Sequence, residues 1–145
     1  VATLKEQAAK KPVLGICLGM QLLFDWSSEV RKTDGLGFVS GQVELIETDL
    51  KLPHIGWNSL QFPNPSPLFA GLDEGCYVYF VHSFCGSAAR QENVIATTDY
   101  GGEVLAAVQS GNVFGTQFHP EKSGSVGLGL LERFADLAKI QEEER

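Results

Sequence analysis

The order of apolar and polar positions along the chain predicts an α/β fold. Residues 13–17 form a short apolar run without polar alternation, which favours a parallel strand covered on both faces. From residue 38 onward, apolar stretches separated by glycine, proline and asparagine predict further strands. These predicted strands cover residues 38–47, 54–62, 76–84, 94–98, 104–109 and 113–118.

Three segments have the composition of helices. Residues 1–11 are rich in helix formers, and residues 20 to about 28 continue in helical composition directly after the first strand. The third helix is predicted over residues 126–141, where apolar side chains recur at spacings of three and four. Its apolar face is formed by Leu128, Leu131, Phe134, Leu137 and Ala138. The order of elements predicts an α/β sheet with an antiparallel extension, in one domain.

Composition and charge exclude several classes of protein. With 43% hydrophobic residues among 145, the chain can bury a core and is not intrinsically disordered. Eleven basic against eighteen acidic residues give a net charge of -7, which disfavours nucleic-acid binding through phosphates. The apolar stretches are far shorter than the roughly 20 residues of a membrane-spanning helix. Together with only three cysteines, these features predict a cytoplasmic protein without a disulfide framework.

A cysteine between two glycines is the sharpest local feature. Gly15, Cys17 and Gly19 lie where the first strand should turn into a helix, as in a nucleophile elbow. Glycines on both sides remove side chains that would clash across so tight a turn. The helix N-terminus is expected to lower the pKa of the thiol, and the Leu18 N–H to donate to an oxyanion. On these residues alone, a small buried core cysteine is an equally good interpretation.

A histidine and a glutamate near the C-terminus favour the catalytic interpretation. His119 and Glu121 are two residues apart at the end of a predicted strand, so their side chains share one side. Glu121 can then orient one imidazole nitrogen while the other reaches a thiol, which is the base-and-orienter half of a catalytic triad. Cys17, His119 and Glu121 are therefore the predicted catalytic residues.

Four separated motifs carry a family resemblance. Residues 15–21 (GICLGMQ) and 117–121 (QFHPE) resemble the two triad motifs of the class I glutamine amidotransferases, in the family's order. Residues 54–58 and 79–83, together with Met20, resemble the branch that serves imidazole glycerol phosphate synthases. The resemblance implies a flavodoxin-like, three-layer sheet with helices on both faces. It also implies hydrolysis of glutamine to glutamate and ammonia, without a metal or other cofactor.

The resemblance also implies which residues bind the substrate and a partner protein. Gln21, Glu29, Ser83 and Phe84 match positions around the bound glutamine, with Glu29 suited to its ammonium group. The partner is a (β/α)₈-barrel cyclase subunit that receives the ammonia in a heterodimer. The positions that face this partner are matched by Trp57, Asn58, Tyr79 and Lys122.

The remaining histidines and cysteines are interpreted as structural. His54 and His82 lie in predicted strands, where a hydrogen-bonded structural histidine is more common than a second base. Cys76 and Cys85 lack flanking glycines and a nearby basic partner, so we expect them to be buried or inert. No spacing of cysteine and histidine predicts a metal site.

The chain departs from the family pattern at its beginning. The family has strands and a glycine-rich loop before the first helix, and that loop supplies a second oxyanion donor. We therefore expect residues 1–145 to form one class I glutamine amidotransferase domain that is incomplete at its N-terminus. Loss of one oxyanion donor costs roughly 10²–10³ in rate in a hydrolase, so this chain alone is expected to have little glutaminase activity and to associate.

Other functions stay open on the sequence. The first is another glutaminase of the same class, of the anthranilate or aminodeoxychorismate synthase type, which Met20 and residues 54–58 disfavour. The second is a cysteine peptidase or deglycase-like hydrolase on a similar sheet, in which Gln21 would have no purpose. The third is a non-catalytic binding module, which the intact triad residues make the least favoured.

Overall fold

A computed structural model describes residues 2–143 of the chain. It contains three α-helices, which are α1 (Ala2–Ala8), α2 (Leu18–Gln21) and α3 (Gly124–Glu143). Short 3₁₀ turns cover Pro67–Phe69, Gln91–Asn93 and Pro120–Lys122.

Ten strands lie between the helices and form three sheets. They are β1 (Val13–Ile16), β2 (Phe24–Ser27), β3 (Thr33–Asp34), β4 (Val39–Leu45), β5 (His54–Ser59), β6 (Tyr77–His82), β7 (Phe84–Ala88), β8 (Val94–Asp99), β9 (Glu103–Ser110) and β10 (Val113–Thr116). The strand orders are β1-β10-β9-β8, β3-β2-β4-β7 and β5-β6. The predicted α/β sheet with an antiparallel extension is confirmed.

The first sheet determines where the chemistry lies. β1 and β10 are parallel neighbours with Ile16 opposite Thr116, whereas β10, β9 and β8 are antiparallel. Because both parallel strands end at the same edge of the sheet, the residues that follow them emerge side by side. Those residues are Cys17 and Gln117, and the Cys17 N–H donates to the Thr116 carbonyl at 2.7 Å.

Apolar clusters cover both faces of this sheet. One cluster joins α3, through Leu130, to Phe114 and Phe118. The other joins Ala8 of α1 and Met20 of α2 to the opposite face. Helices therefore lie on both faces, as the family resemblance implies. None of the helices in the described part of the chain is both long and apolar enough to cross a membrane.

The predicted helix from residue 20 to about 28 is wrong. The helix ends at Gln21, and Phe24–Ser27 form β2, which pairs in parallel with β4. This strand also has a close tertiary contact with Gly35. A β-carbon at Gly35 would lie 2.0 Å from the Phe24 carbonyl oxygen, so only a glycine fits there. Pairing with two strands outweighs the helical composition of the segment. A second difference concerns residues 76–84, which were predicted to form one strand. Ser83 interrupts them, so that β6 ends at His82 and β7 begins at Phe84.

Most of the predicted apolar face of the last helix is confirmed, because Leu131, Phe134 and Leu137 pack against the core. Leu128 is the exception, being 59% exposed, and the fully buried Leu130 lies on the core side instead. Gly127 contributes to this arrangement, because a β-carbon there would lie 1.9 Å from the Pro120 carbonyl oxygen. The helix thus meets the 120–122 turn along the side of Gly127, which carries Leu130 inward and Leu128 outward.

Candidate active site

Cys17 lies in a strained turn between β1 and α2. Its backbone φ of 54° and ψ of -105° lie outside the regions that non-glycine residues favour. Gly15 makes the turn possible, since a β-carbon there would lie 2.6 Å from the backbone of Gly19. At Gly19 itself a β-carbon would meet nothing within 4 Å, so the expectation that both glycines relieve a clash is wrong for Gly19.

The thiol is half-buried between polar groups. Its Sγ lies 4.0 Å from the Val81 carbonyl oxygen, and the Gln117 Nε2 donates to it at 3.7 Å. Burial raises the pKa of the Cys17 thiol, and the hydrogen bonds from the Leu18 N–H and from Gln117 oppose this increase only in part. The expected net lowering of the thiol pKa is wrong: the Leu18 N–H at the start of α2 does lower it, but burial outweighs this contribution.

His119 and Glu121 form the predicted pair. The His119 Nδ1 lies 3.1 and 3.2 Å from the two carboxylate oxygens of Glu121. A carboxylate only accepts, so Nδ1 carries the proton and Nε2 is left with a lone pair. The two side chains are 21% and 46% exposed, so the pair is partly accessible to solvent.

The backbone at His119 is fixed by its neighbours. The His119 N–H donates to the Tyr79 carbonyl at 3.0 Å, and the hydroxyl of the buried Ser123 donates to the His119 carbonyl at 2.6 Å. The same hydroxyl accepts from the Tyr79 N–H at 3.0 Å. Ser123 thereby ties the end of the base-bearing segment to β6.

The described residues show no hydrogen bond between the thiol and the His119 imidazole. The thiol instead uses the Val81 carbonyl and Gln117. Catalytic hydrogen bonds are often long or misaligned in free enzymes and form only when substrate binds. Cys17 and His119 thus follow adjacent strands without a direct contact, and their catalytic roles stay a prediction.

A cleft of about 450 Å³ opens beside the thiol, and we call it the thiol cleft. All four residues predicted to bind substrate line it, namely Gln21, Glu29, Ser83 and Phe84. A second cleft of about 440 Å³ adjoins it at Leu18, Gln21 and Glu29. The Gln21 amide is turned inward, where its Nε2 donates to the Phe84 carbonyl at 3.1 Å and to the Gln117 Oε1 at 3.2 Å.

Comparison with known proteins decides the family. The family described as "Glutamine amidotransferase class-I" matches residues 1–136. The chain belongs to the class I glutamine amidotransferases.

Curated members of the family give a finer comparison. The protein named imidazole glycerol phosphate synthase subunit HisH from Oceanobacillus iheyensis is 45% identical over 139 residues, which is 95% of this chain and 69% of the relative. The HisH proteins of Methanosarcina barkeri and Shouchella clausii are 48% and 50% identical, covering 93% and 91% of this chain. The chain spans 68% and 66% of these two relatives.

Solved structures support the fold of this amidotransferase. A GMP synthase protein from Thermoplasma acidophilum matches with a TM-score of 0.67 at 18% identity, covering 98% of this chain and 67% of that one. A glutamine amidotransferase from Thermotoga maritima matches with a TM-score of 0.61 at 21% identity, covering 99% and 59%.

The residues predicted to face a partner lie on the β5–β6 ladder and on the turn that follows His119. Trp57 and Tyr79 are opposite each other in the β5–β6 ladder, with their rings in an edge-to-face arrangement 6.0 Å apart. Trp57 is 55% exposed, so it is not a core residue of its strand. Lys122 is also exposed, whereas Asn58 is half-buried. Their role at an interface stays a prediction.

Sequence reasoning missed several residues that build the site. Gln117 was noted only as part of a motif, yet its side chain contacts both the thiol and Gln21. The link formed by Ser123 depends on a turn that brings it back to β6. His54 and His82 were correctly interpreted as hydrogen-bonded, but nothing in the sequence indicated that they bond each other, at 2.9 Å. Their pairing follows from the register of β5 and β6, which no local pattern predicts.

Proposed function

We propose that this chain is the glutaminase subunit of an imidazole glycerol phosphate synthase. It hydrolyses glutamine to glutamate and ammonia and supplies the ammonia to a cyclase subunit. The observation that carries the proposal is the strained cysteine turn beside a histidine–carboxylate pair on the neighbouring strand end. The three HisH relatives, at 45–50% identity, support this assignment over other glutaminases of the class.

The chemistry follows a cysteine–histidine–glutamate triad. The Cys17 thiol gives its proton to the His119 Nε2, and the sulfur attacks the carboxamide carbon of glutamine. Collapse of the tetrahedral intermediate breaks the C–N bond, while His119 returns the proton to the departing ammonia. Water, activated by His119, then hydrolyses the γ-glutamyl thioester to glutamate. Glu121 holds the imidazole and stabilises its positive charge, and the Leu18 N–H donates to the oxyanion.

Glutamine occupies the thiol cleft in this proposal. The exposed Glu29 carboxylate at its rim suits the substrate's ammonium group, because opposite charges attract most where water is partly excluded. Backbone groups at Ser83 and Phe84 form the opposite wall. Gln21 acts through its inward contacts with Phe84 and Gln117, which shape the floor of the cleft.

The ammonia passes to a (β/α)₈-barrel cyclase in a heterodimer. There it reacts with a ribulosyl aminoimidazole carboxamide nucleotide to give imidazole glycerol phosphate and an aminoimidazole carboxamide ribotide. The exposed Trp57 and the half-buried Tyr79 form an aromatic pair, and Lys122 is exposed on the turn after His119. This arrangement suits an interface in which a few anchors lie within a polar rim.

Two nitrogen sources test the proposal. In a complex of this chain with a cyclase subunit, Cys17→Ala should abolish synthesis from glutamine, because no thioester can form. Synthesis from added ammonia should be unchanged, since the cyclase needs only the ammonia. Cys85→Ser is the matched control, because Cys85 lies on β7 outside the thiol cleft and should affect neither rate. Equal loss of both activities in Cys17→Ala would contradict an ammonia-donor role.

A glutamine-mimicking electrophile tests the site directly. A diazo-ketone amino acid should form one adduct, which peptide mass spectrometry should locate on Cys17. His119→Asn should slow its formation, because the base that deprotonates the thiol is removed. Adducts distributed over Cys17, Cys76 and Cys85 would show that no glutamine-specific site exists.

A further inference from the structure

The molecule contains two buried histidines that have no role in the proposed chemistry. These two histidines are hydrogen-bonded to each other. His54 on β5 and His82 on β6 are opposite in the antiparallel ladder, and they are 2% and 6% exposed. The His54 Nδ1 lies 2.9 Å from the His82 Nε2. Burial lowers the pKa of both imidazoles, that of His54 to about 4, so both rings are neutral near neutral pH.

The neighbours of the two rings fix their protons. The His82 Nδ1 lies 2.9 Å from the Phe84 carbonyl oxygen, which only accepts, so Nδ1 carries the proton. The neutral His82 therefore accepts at Nε2 from the His54 Nδ1–H. The His54 Nε2 then accepts from the Asn58 Nδ2, at 3.2 Å. Both histidines are in the Nδ1–H tautomer, and all three hydrogen bonds point in one direction.

The hydrogen bonds continue from Phe84 to the nucleophile. The Phe84 carbonyl accepts a second hydrogen bond, from the Gln21 Nε2 at 3.1 Å. The same Nε2 donates to the Gln117 Oε1 at 3.2 Å, and the Gln117 Nε2 donates to the Cys17 Sγ at 3.7 Å. We call this series the polar chain; its members are Asn58, His54, His82, the Phe84 carbonyl, Gln21, Gln117 and Cys17.

Most members of the polar chain are inaccessible to water. Gln117 is fully buried and Gln21 is 8% exposed, so each hydrogen bond lost inside leaves a polar group unpaired. At its outer end, the half-buried Asn58 adjoins Trp57 on β5 and also donates to the Asp99 carbonyl at 2.8 Å. The polar chain thus runs from the surface strand that carries Trp57 to the thiol.

We propose that the polar chain is a positioning network through which the β5 surface at Asn58 sets the orientation of the Cys17 thiol. His54, His82 and Gln117 are positioning residues, and Gln117 is the one that contacts the sulfur. Its N–H stabilises a thiolate, so any change that turns Gln117 away makes the thiol less reactive. This proposal rests on the proposed function only in taking Cys17 as the nucleophile.

A packing role is the competing explanation for His54. Its ring is stacked between Phe80, at a centroid distance of 4.6 Å, and Tyr100, at 4.1 Å. If packing were its whole role, a phenylalanine would serve as well. Two variants therefore separate the explanations. His54→Phe keeps the stack and removes the hydrogen bonds, whereas Tyr100→Leu removes one side of the stack and no hydrogen bond of the polar chain.

The first experiment measures the tautomers of the two buried histidines by ¹⁵N NMR. The sequence has only three histidines, and His119→Asn removes one signal, which leaves the two buried rings to be identified. We expect both to be neutral Nδ1–H tautomers at pH 7. An Nε2–H tautomer at either ring would break the series and overturn the proposal.

The second experiment measures alkylation of Cys17 by iodoacetamide, followed by peptide mapping. His54→Phe should slow it about 3- to 10-fold, the effect of one hydrogen bond, and Gln117→Met should slow it at least as much. Tyr100→Leu should remain within about twofold of the wild type. A normal rate in His54→Phe with a slow rate in Tyr100→Leu would establish packing and overturn the proposal.

Two controls keep the outcome decisive. Alkylation of Cys76 and Cys85 in the same samples reports opening of the fold, because burial raises the pKa of both thiols. If His54→Phe makes Cys76 and Cys85 accessible, Asn58→Leu is used instead as the test variant, because Asn58 lies at the half-buried end of the polar chain. A normal rate of Cys17 alkylation in Asn58→Leu would then overturn the proposal. No step requires glutamine turnover. Failure of the Cys17→Ala test in the complex would therefore contradict the proposed function, whereas the alkylation rates alone decide the positioning network.

Discussion

The three histidines lie in two contrasting environments. His119 is 21% exposed beside a cleft, and a carboxylate occupies its Nδ1 side. His54 and His82 are buried, and their nitrogens contact each other, an amide and a backbone carbonyl. A carboxylate stabilises an imidazolium, so His119 can gain and release a proton. The buried pair has no negative charge among these partners, so a proton gained there would break hydrogen bonds.

This contrast shows that the environment, and not the residue type, separates a base from a positioning group. His82 ends β6 and lines the thiol cleft, whereas His119 follows β10 and is more exposed. Their partners on Nδ1 also differ, being a carboxylate for His119 and a carbonyl for His82. The carboxylate supports proton transfer, whereas the carbonyl supports a fixed orientation.

The largest expected effect comes from removing the base. His119→Asn should lower glutamine hydrolysis about 10³-fold or more, since triad members act as a unit. The free energy of unfolding should change by less than about 1 kcal/mol, because the side chain is only half-buried. A steady-state glutaminase assay of the complex and urea unfolding of the chain measure the two quantities. A variant with a tenth of wild-type activity would remove the contrast between His119 and the buried pair.

The next effect is on the pH dependence of stability. Burial, and then the neighbouring His82, lowers the pKa of His54 to about 4, while an unfolded histidine titrates near about 6.5. Between these values the unfolded state binds more protons. His54 therefore contributes fully to the free energy of unfolding above about pH 6.5. This contribution, roughly 3 kcal/mol, is lost as the pH falls toward 4.

Urea unfolding at several pH values between about 7 and 4.5 measures this loss. His54→Phe should show a shallower decline than the wild type, because the buried group no longer titrates. His119→Asn is the matched control and should keep the wild-type decline. Identical slopes in all three proteins would show that the buried pair is not neutral in the folded state.

The smallest expected effect is that of breaking the pair while keeping an aromatic ring at position 82. His82→Phe should lower the free energy of unfolding by about 1–3 kcal/mol, because the His54 Nδ1–H is left buried and unpaired. The comparison with His119→Asn sharpens the contrast, since His82→Phe should lose stability and His119→Asn should keep it. A fully stable His82→Phe would mean that His54 finds another acceptor.

The sequence predicted the catalytic elements better than their electrostatics. Strands β1 and β10 were evident because unbroken apolar runs end in distinctive motifs, at Cys17 and at His119. The raised pKa of Cys17 was not evident, because it depends on how much of the thiol the Val81 and Gln117 segments cover. Burial of one atom is a property of the assembled fold, and no local pattern encodes it.

Local patterns also failed where tertiary contacts decide the conformation. Residues 24–27 have a helical composition, yet they pair with β4 and lie against the backbone of Gly35. At α3 the predicted apolar face included the exposed Leu128 and omitted the buried Leu130, because the close contact of Gly127 with Pro120 is not visible in the local pattern. The His54–His82 bond needed the register of two strands separated by a loop of 17 residues between Ser59 and Tyr77.

The parallel pairing of β1 with β10 joins a segment that is synthesised early to one that is synthesised late. The two strands adjoin in space but are separated by most of the described chain. Contacts between such distant segments form slowly, and a growing polypeptide adds only about 5–20 residues per second. A nascent chain therefore carries Cys17 for several seconds before His119 has been made. In the proposed mechanism the thiol needs His119 as its base, so hydrolysis of glutamine would begin only in molecules that have completed this sheet.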